Sequence, residues 1–328
     1  MKKILLIHYS QSGQLSDIAK AFTHPIAASS DVDLVIETLQ PEKPFPFPWP
    51  FLQFLDTFPE SVYLDPPPLK PGSLRGDEDF DLIILAYQVW FLSPSLPATA
   101  FLQQPLAKQL LKGKPVVTLI ACRNMWLLAQ EQVKRILAED IGARLVGNVA
   151  LTDEAGSLLS FFATPLWVLT GHKGPFLKGL IPRAGVSANN IQNCNRFGER
   201  ICQTLQEGAP VNEHLLRGLG AVVIDEALIA SEKTGRRAFM VWGRLLRLLG
   251  PPGSRLRKPV LVFYSVFLIL MILTVVPLSM LFRKLSSPFS RDYFIRQKAY
   301  FSAPSGEDIV ITDNKKTSLI TRSLSDPG

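Results

Sequence analysis

Five short apolar runs, at residues 3–8, 32–38, 81–86, 115–121 and 145–151, are each bounded by turn-forming residues and carry no polar face. A strand apolar on both faces must be covered on both faces, which is the condition of a parallel sheet sandwiched between helices. Helical spacing of apolar residues follows at 15–22, 96–104, 126–140 and 188–205, the last opening after Ser187 as N-cap. Strand and helix in alternation imply right-handed crossovers and an α/β, doubly wound, five-stranded parallel sheet.

One crossover does not fit that rhythm. Residues 41–78 contain ten prolines, enough to forbid a regular helix over most of the segment. Its aromatics Phe45, Phe47, Trp49, Phe51, Phe54 and Phe58 make it too apolar for a linker. Two readings stand open: a cover packed on the sheet edge, or a lid or membrane-facing flap near a substrate.

The charge is divided unevenly. Residues 1–150 carry 13 Lys and Arg against 15 Asp and Glu, whereas residues 151–328 carry 22 against 13. A basic C-terminal half suits nucleic acid or an anionic membrane, and the apolar content beside it points to membrane and away from nucleic acid. Cys122, Cys194 and Cys202 have neither metal-ligand spacing nor an even count, so no metal site and no disulfide framework is expected. The apolar opening ends at His8, too soon for a signal peptide.

Directly after the first strand comes Tyr9-Ser10-Gln11-Ser12-Gly13-Gln14-Leu15, and then a helix. Hydroxyl groups, a glycine and a helix N-terminus together suit a phosphate. The loop has no P-loop lysine and no GxGxxG, which leaves a monophosphate ester as the fitting guest. These residues resemble the phosphate loop of the flavodoxin-like family. That resemblance implies flavin mononucleotide (FMN) as cofactor, with Ser10, Gln11, Ser12, Gly13, Gln14 and Leu15 binding it. The family pattern usually ends in Thr where this chain has Leu15.

Two later segments agree with the resemblance, each at a strand end where an open α/β sheet places its ligand. Tyr87, Gln88, Val89, Trp90 and Phe91 follow the third strand, and Cys122, Arg123, Asn124, Met125 and Trp126 follow the fourth. In the family these loops contact the flavin ring. Trp90 could equally be a packing residue, Arg123 a solvated charge and Cys122 a small core residue. His172, in the break Gly171-His172-Lys173-Gly174, is the acid/base candidate, with a solvated turn as the competing reading. Tyr87 and Arg123 complete the catalytic candidates.

The opening of the chain, its length and its C-terminal apolar helix also resemble the flavodoxin-like aromatase of dialkylresorcinol biosynthesis, annotated in places as a condensing enzyme. That resemblance implies a lipophilic cyclic diketone oxidised to a resorcinol, with a ketosynthase and a carrier protein as partners.

Residues 260–282 run for 23 positions without a charge, about 35 Å as a helix and long enough for a hydrocarbon core of about 30 Å. Pro277 and the basic residues on both sides permit a single span or a re-entrant segment. Upstream, residues 236–249 place Arg236, Arg237, Arg244 and Arg247 on one arc and Phe239, Trp242, Leu245, Leu246 and Leu249 on the other, a pattern suited to the headgroup layer. The expected organisation is a flavodoxin-like FMN domain over 1–205, a basic connector over 206–258, a transmembrane or re-entrant helix over 259–283 and a polar tail over 284–328 that ends in a loosely ordered Ser/Thr/Lys/Asp stretch. The expected protein is a flavin-dependent oxidoreductase on the cytoplasmic face of the inner membrane. Its rival is a one-electron carrier that docks to a membrane partner.

Overall fold

The computed structural model describes residues 1–153, 160–286 and 291–306. Strands β1 (Lys2–His8), β2 (Val32–Thr38), β3 (Leu82–Trp90), β5 (Pro115–Cys122) and β6 (Arg144–Thr152) form a parallel sheet in the order β2-β1-β3-β5-β6. A two-residue strand, β4 (Ser93–Pro94), folds back antiparallel on β3. Counted over the parallel strands alone, this is the 2-1-3-4-5 order of flavodoxin-like sheets, in which the order reverses between β1 and β3.

Period-two alternation sends each strand's side chains into two separate cores. Leu5, Ile7, Ile83, Leu85 and Tyr87 face α4 (Leu96–Gln103), α5 (Pro105–Leu111) and α6 (Leu127–Arg135). Ile4, Leu6, Ile84, Ala86, Val117 and Leu119 face α1 (Gln14–Ala27) and α9 (Asn195–Gln206). The helices α1 and α9 touch closely at Gly198, where an added Cβ would lie 2.1 Å from the carbonyl oxygen of Phe22.

Two sequence-based helices are subdivided. The pattern at 126–140 becomes α6 followed by a π-turn over Ile136–Ile141, closed by Gly142 at φ 78°. The pattern at 188–205 becomes α8 (Ala188–Asn193) and α9, and Ser187 caps α8 by accepting the amide of Asn190 at 3.2 Å.

The Pro-rich segment holds two short helices, α2 (Phe51–Asp56) and α3 (Phe58–Tyr63). Its later part, through Leu64, Leu69 and Leu74, packs on the first core as a cover. Its earlier part arches over the carboxyl ends of the strands, where the Trp49 amide donates to the carbonyl of Val168 in α7 (Ser160–Thr170) at 2.9 Å.

The C-terminal third is built onto the same body. In α10 (Glu226–Leu248), Tyr63 donates to the Met240 carbonyl at 3.0 Å, Arg236 donates to Ser93 Oγ at 3.3 Å, and Phe239 meets Phe58 and Phe91. The apolar arc expected to face lipid headgroups is thus largely taken up by protein: Trp242 stacks against Tyr264 and Phe267, and Leu246 is fully buried. Arg257, 1 % exposed, opens α11 (Arg257–Ser286) and donates to Asp56 at 3.2 Å and Glu60 at 2.8 Å.

Beyond its first turn α11 has two apolar faces. Leu261 and Tyr264 are buried against α2, α3 and α10, while Val262, Phe263, Val266, Ile269, Leu270 and Leu273 are exposed. Among the described residues no helix is long and apolar enough to cross a membrane. The far part of the 260–282 run has its side chains outside the described residues from 275 onward.

The polar tail forms a helix, α12 (Arg291–Ser302), which returns to the body. Tyr300 donates to Glu131 at 2.6 Å, and Ser305 Oγ accepts the amide of Asn148 on β6 at 2.7 Å. Residues 307–328, the rest of that tail, lie outside the described residues.

Candidate functional site

A cleft of about 990 Å³, counted to its open mouth, lies beyond the carboxyl ends of β1, β3, β5 and β6. This is the switch point of the sheet, where crossovers leave to opposite faces and a crevice must open. Its floor comes from the loop after β1. Gly13 at φ 85° turns the chain into α1, and a Cβ placed there would meet nothing within 4 Å. Ser12, Leu15, Gln11 and Gln14 line the cleft.

The two glutamines are already engaged. Gln11 donates from its amide nitrogen to the carbonyls of Phe45 and Pro46, and its carboxamide oxygen accepts the Tyr9 hydroxyl. Its backbone amide donates to Gln88 at 3.1 Å. Gln14 exchanges two hydrogen bonds with the backbone of Val186. These side chains fasten the loop to its surroundings. Ser10, by contrast, is not part of the cleft lining, and its buried Oγ has no hydrogen-bond partner among the described residues.

The side walls come from β3 and β5. Gln88, Val89, Trp90 and Phe91 line the cleft, the first three not from a loop as the sequence implied, since β3 runs on to Trp90 and pairs with β4, and Phe91 from the turn between the two strands. Trp90 meets Tyr9, Phe45 and Trp49 edge-on at 5.0–6.1 Å. From β5 come Cys122 and Arg123.

Seven sequence candidates do not line the cleft: Ser10 and Gly13 belong to the loop after β1 without facing it, and five are placed elsewhere. Tyr87 points into the first core, fully buried, and donates to Gln130 at 2.6 Å, because odd and even positions of β3 face opposite sides. Trp126 is 1 % exposed in that same core, ahead of α6. Asn124 and Met125 are half-buried and do not line the cleft. His172 is exposed in a turn after α7 and does not line the cleft; the solvated reading describes its position.

Among the described residues, Arg123 and Asp153 are the charged groups in the cleft wall. Asp153 follows β6, its amide donates to the Arg123 carbonyl at 2.8 Å, and its carboxylate accepts the Gly185 amide at 3.0 Å. Burial pushes Arg123 down to about 10, against the opposing pull of Asp153. Burial, reinforced by Glu232, pushes the Cys122 thiol well up, so it stays neutral and is no nucleophile. No group of three His, Cys, Asp or Glu residues that could hold a metal ion occurs among the described residues.

The roof comes from the two additions to the sheet, of which the Pro-rich one was open to a lid reading from its sequence. Phe47, Trp49, Phe54 and Thr57 of the Pro-rich segment, and Thr164, Trp167 and Val168 of α7, close over the cleft. The aromatic content of residues 41–78 was a usable signal for the first group, and a carboxylate at a parallel strand's carboxyl end was one for Asp153. Trp167, inside an apolar run, offered none.

No family model matches the chain, and no curated protein matches it. Among solved structures it is similar to a flavoprotein in complex with FMN from Lactobacillus acidophilus NCFM, at 19% identity and TM-score 0.36, over 46% of this chain and 93% of that one. It is also similar to a flavodoxin from the domain Archaea, at 14% identity and TM-score 0.34, over 63% and 99%. Oxidised Flavodoxin 1 from Bacillus cereus gives 14% identity and TM-score 0.32, over 62% and 98%. With likenesses this weak, the fold assignment rests on the strand order.

Proposed function

We propose that this protein is an FMN-dependent oxidoreductase that acts on a lipophilic substrate at a membrane surface. The observation that carries the reading is the cleft itself: the loop after β1 lines one end through Gln11, Ser12, Gln14 and Leu15, and an aromatic roof built by segments outside the sheet closes over it. Ser10, Ser12 and the amides around Gly13 would hold the phosphate, and Trp90, Phe91, Cys122 and Arg123 would flank the ring. When bound, the flavin supplies a two-electron acceptor. The roof excludes water and offers apolar contact to a substrate carbon skeleton. Asp153 is the carboxylate in the described wall able to take a proton from the substrate, the role that sequence analysis gave to His172.

Membrane attachment is supported by the exposed apolar face of α11, beside Arg255 and Lys258. The body contacts the chain both before and after this helix, at Arg257 and again at Tyr300 and Ser305. That favours a helix lodged in one leaflet over a single crossing. The resemblance to the aromatase of dialkylresorcinol biosynthesis makes a cyclic diketone the substrate to test first. The ketosynthase, the carrier protein and the cytoplasmic face of the inner membrane belong to that proposal.

The test is purification of the full chain in detergent, identification of its flavin by visible spectrum and chromatography, and anaerobic mixing with cyclic 1,3-diketones. Substrate-dependent bleaching of the flavin is expected. Bound flavin that no diketone reduces favours the one-electron carrier.

A further inference from the structure

The segment that follows α7 holds two leucines out from the body, Leu177 at 68% and Leu180 at 62% exposure. They sit at the tip of a tight turn. At its neck Phe176 and Ile181 each donate an amide to the other's carbonyl, at 2.9 and 3.2 Å, and at the tip Gly179 donates to Phe176 at 3.1 Å and Leu180 to Leu177 at 3.2 Å. Leu177 and Lys178 take φ of 50° and 55°, a left-handed backbone that is unfavourable for any residue with a Cβ, and no burial of Leu177 offsets it.

The base of the turn is firmly seated. Ile181 and Ala184 are buried with Trp167 of α7, Lys173 lies over the Trp167 ring at 5.0 Å, and Ala184 donates to the Lys173 carbonyl at 2.7 Å. Residues 171–183 include Lys173, Lys178 and Arg183 and no Asp or Glu. Burial and the nearby Arg183 both lower the Lys173 pKa, against the opposing pull of Asp17, so an anion at this surface would relieve the crowding of cations. A turn whose peptide groups bond to one another, with apolar side chains at its tip and cations beside them, has the makeup of a segment that enters an anionic headgroup layer. A protein partner would need an acidic surface with pockets shaped to both leucines, whereas a bilayer accepts them in any orientation.

We propose that residues 173–183 form a second membrane contact, Leu177 and Leu180 entering the acyl boundary while Lys178 and Arg183 meet anionic headgroups. This rests on the membrane reading above and uses a surface separate from the exposed face of α11. Its consequence is for substrate access. The turn is seated on Trp167, which lines the cleft, so the roof stands at the layer from which a lipophilic substrate is drawn.

The test is flotation of the full chain, transferred from detergent, with vesicles of phosphatidylcholine alone or mixed equally with phosphatidylglycerol. Leu177→Asp combined with Leu180→Asp should weaken binding several-fold on both. Lys178→Gln combined with Arg183→Gln should weaken it about fivefold per cation on the anionic vesicles at low salt and leave the neutral ones unchanged. These four side chains are exposed, so circular dichroism should not change. As an independent reading of depth, Leu180→Trp should add emission that brominated lipid quenches. Anionic-vesicle binding by the Leu177/Leu180 double variant equal to wild type, or added emission that brominated lipid leaves untouched, overturns the inference, an acidic protein as the true occupant included. Wild-type protein that floats with neither vesicle overturns the membrane reading itself.

Discussion

Glu232 on α10 accepts the backbone amides of Leu127 and Leu128, at 3.3 and 3.0 Å, and so occupies the N-terminus of α6 with a side chain that is 1 % exposed. Burial raises its carboxyl from an ordinary 4.5 to about 7, outweighing the amides that favour the anion. The folded state thus holds a proton that the unfolded chain has lost between those values. The stability linked to that proton is fully present below about pH 4.5 and is lost as pH rises to about 7. On the order of 2–3 kcal/mol is at stake. Glu232→Gln, neutral at every pH, should flatten this part of the profile in denaturant titrations between pH 4.5 and 8. An unchanged slope would assign the pH dependence to other groups.

Gly13→Asp should abolish FMN retention. The position has room for a side chain, but its φ of 85° strains any residue with a Cβ, and the new carboxylate would sit beside the phosphate's negative charge. The readout is the flavin-to-protein ratio after gel filtration. A ratio equal to wild type removes this loop from the site.

Arg257→Met should lower stability by about 3–5 kcal/mol, because it strands Asp56 and Glu60 without their cation. Adding Glu60→Met should recover part of that loss. Chemical denaturation of the two variants in the same detergent checks both halves of the expectation.

Val266→Asp and Leu270→Asp lie on the exposed face of α11, at 53% and 56% exposure, so neither should disturb packing. Each should weaken sedimentation with anionic vesicles several-fold while circular dichroism is unchanged. Vesicle binding equal to wild type in the double variant would refute attachment through this face.

At the cleft, Asp153→Asn should slow flavin reduction by a diketone about 10²- to 10⁴-fold, the usual contribution of an acid/base group. His172→Ala should leave the rate unchanged, since His172 stands clear of the cleft. Rapid-mixing absorbance at the flavin band separates the two. Slowing in the His172 variant alone would reverse the assignment.

The sheet was legible because each strand announces itself locally: Ile4-Leu5-Leu6-Ile7 and Leu82-Ile83-Ile84-Leu85 need covering on both faces wherever they sit. The passage from β1 through a turn into α1 was legible for the same reason, its residues being contiguous from Ser10 to Leu15. Tyr87 was misassigned because one residue of register decides whether a strand-end side chain faces the cleft or the core, and the extension of β3 to Trp90 depends on the hairpin with Ser93. The roof was illegible in detail because it is made by the meeting of Trp49 with Val168, more than a hundred residues apart. The arc of α10 was legible as apolar, but not that Phe239, Trp242 and Leu246 within it pack on the chain's own helices. Periodicity shows that a face is buried and does not show what buries it.

The helix α10 reaches three walls at once: Glu232 holds the start of α6, Arg236 and Phe239 hold the β3–β4 hairpin, and Met240 anchors α3 through Tyr63. A chain cut after residue 205 would therefore keep every strand of the sheet and lose the scaffold that shapes the crevice. Module boundaries drawn by homology to the sheet and boundaries drawn by mechanical integrity do not coincide in this molecule. Grafting or trimming it as a portable nucleotide-binding unit would require carrying residues 226–248 along.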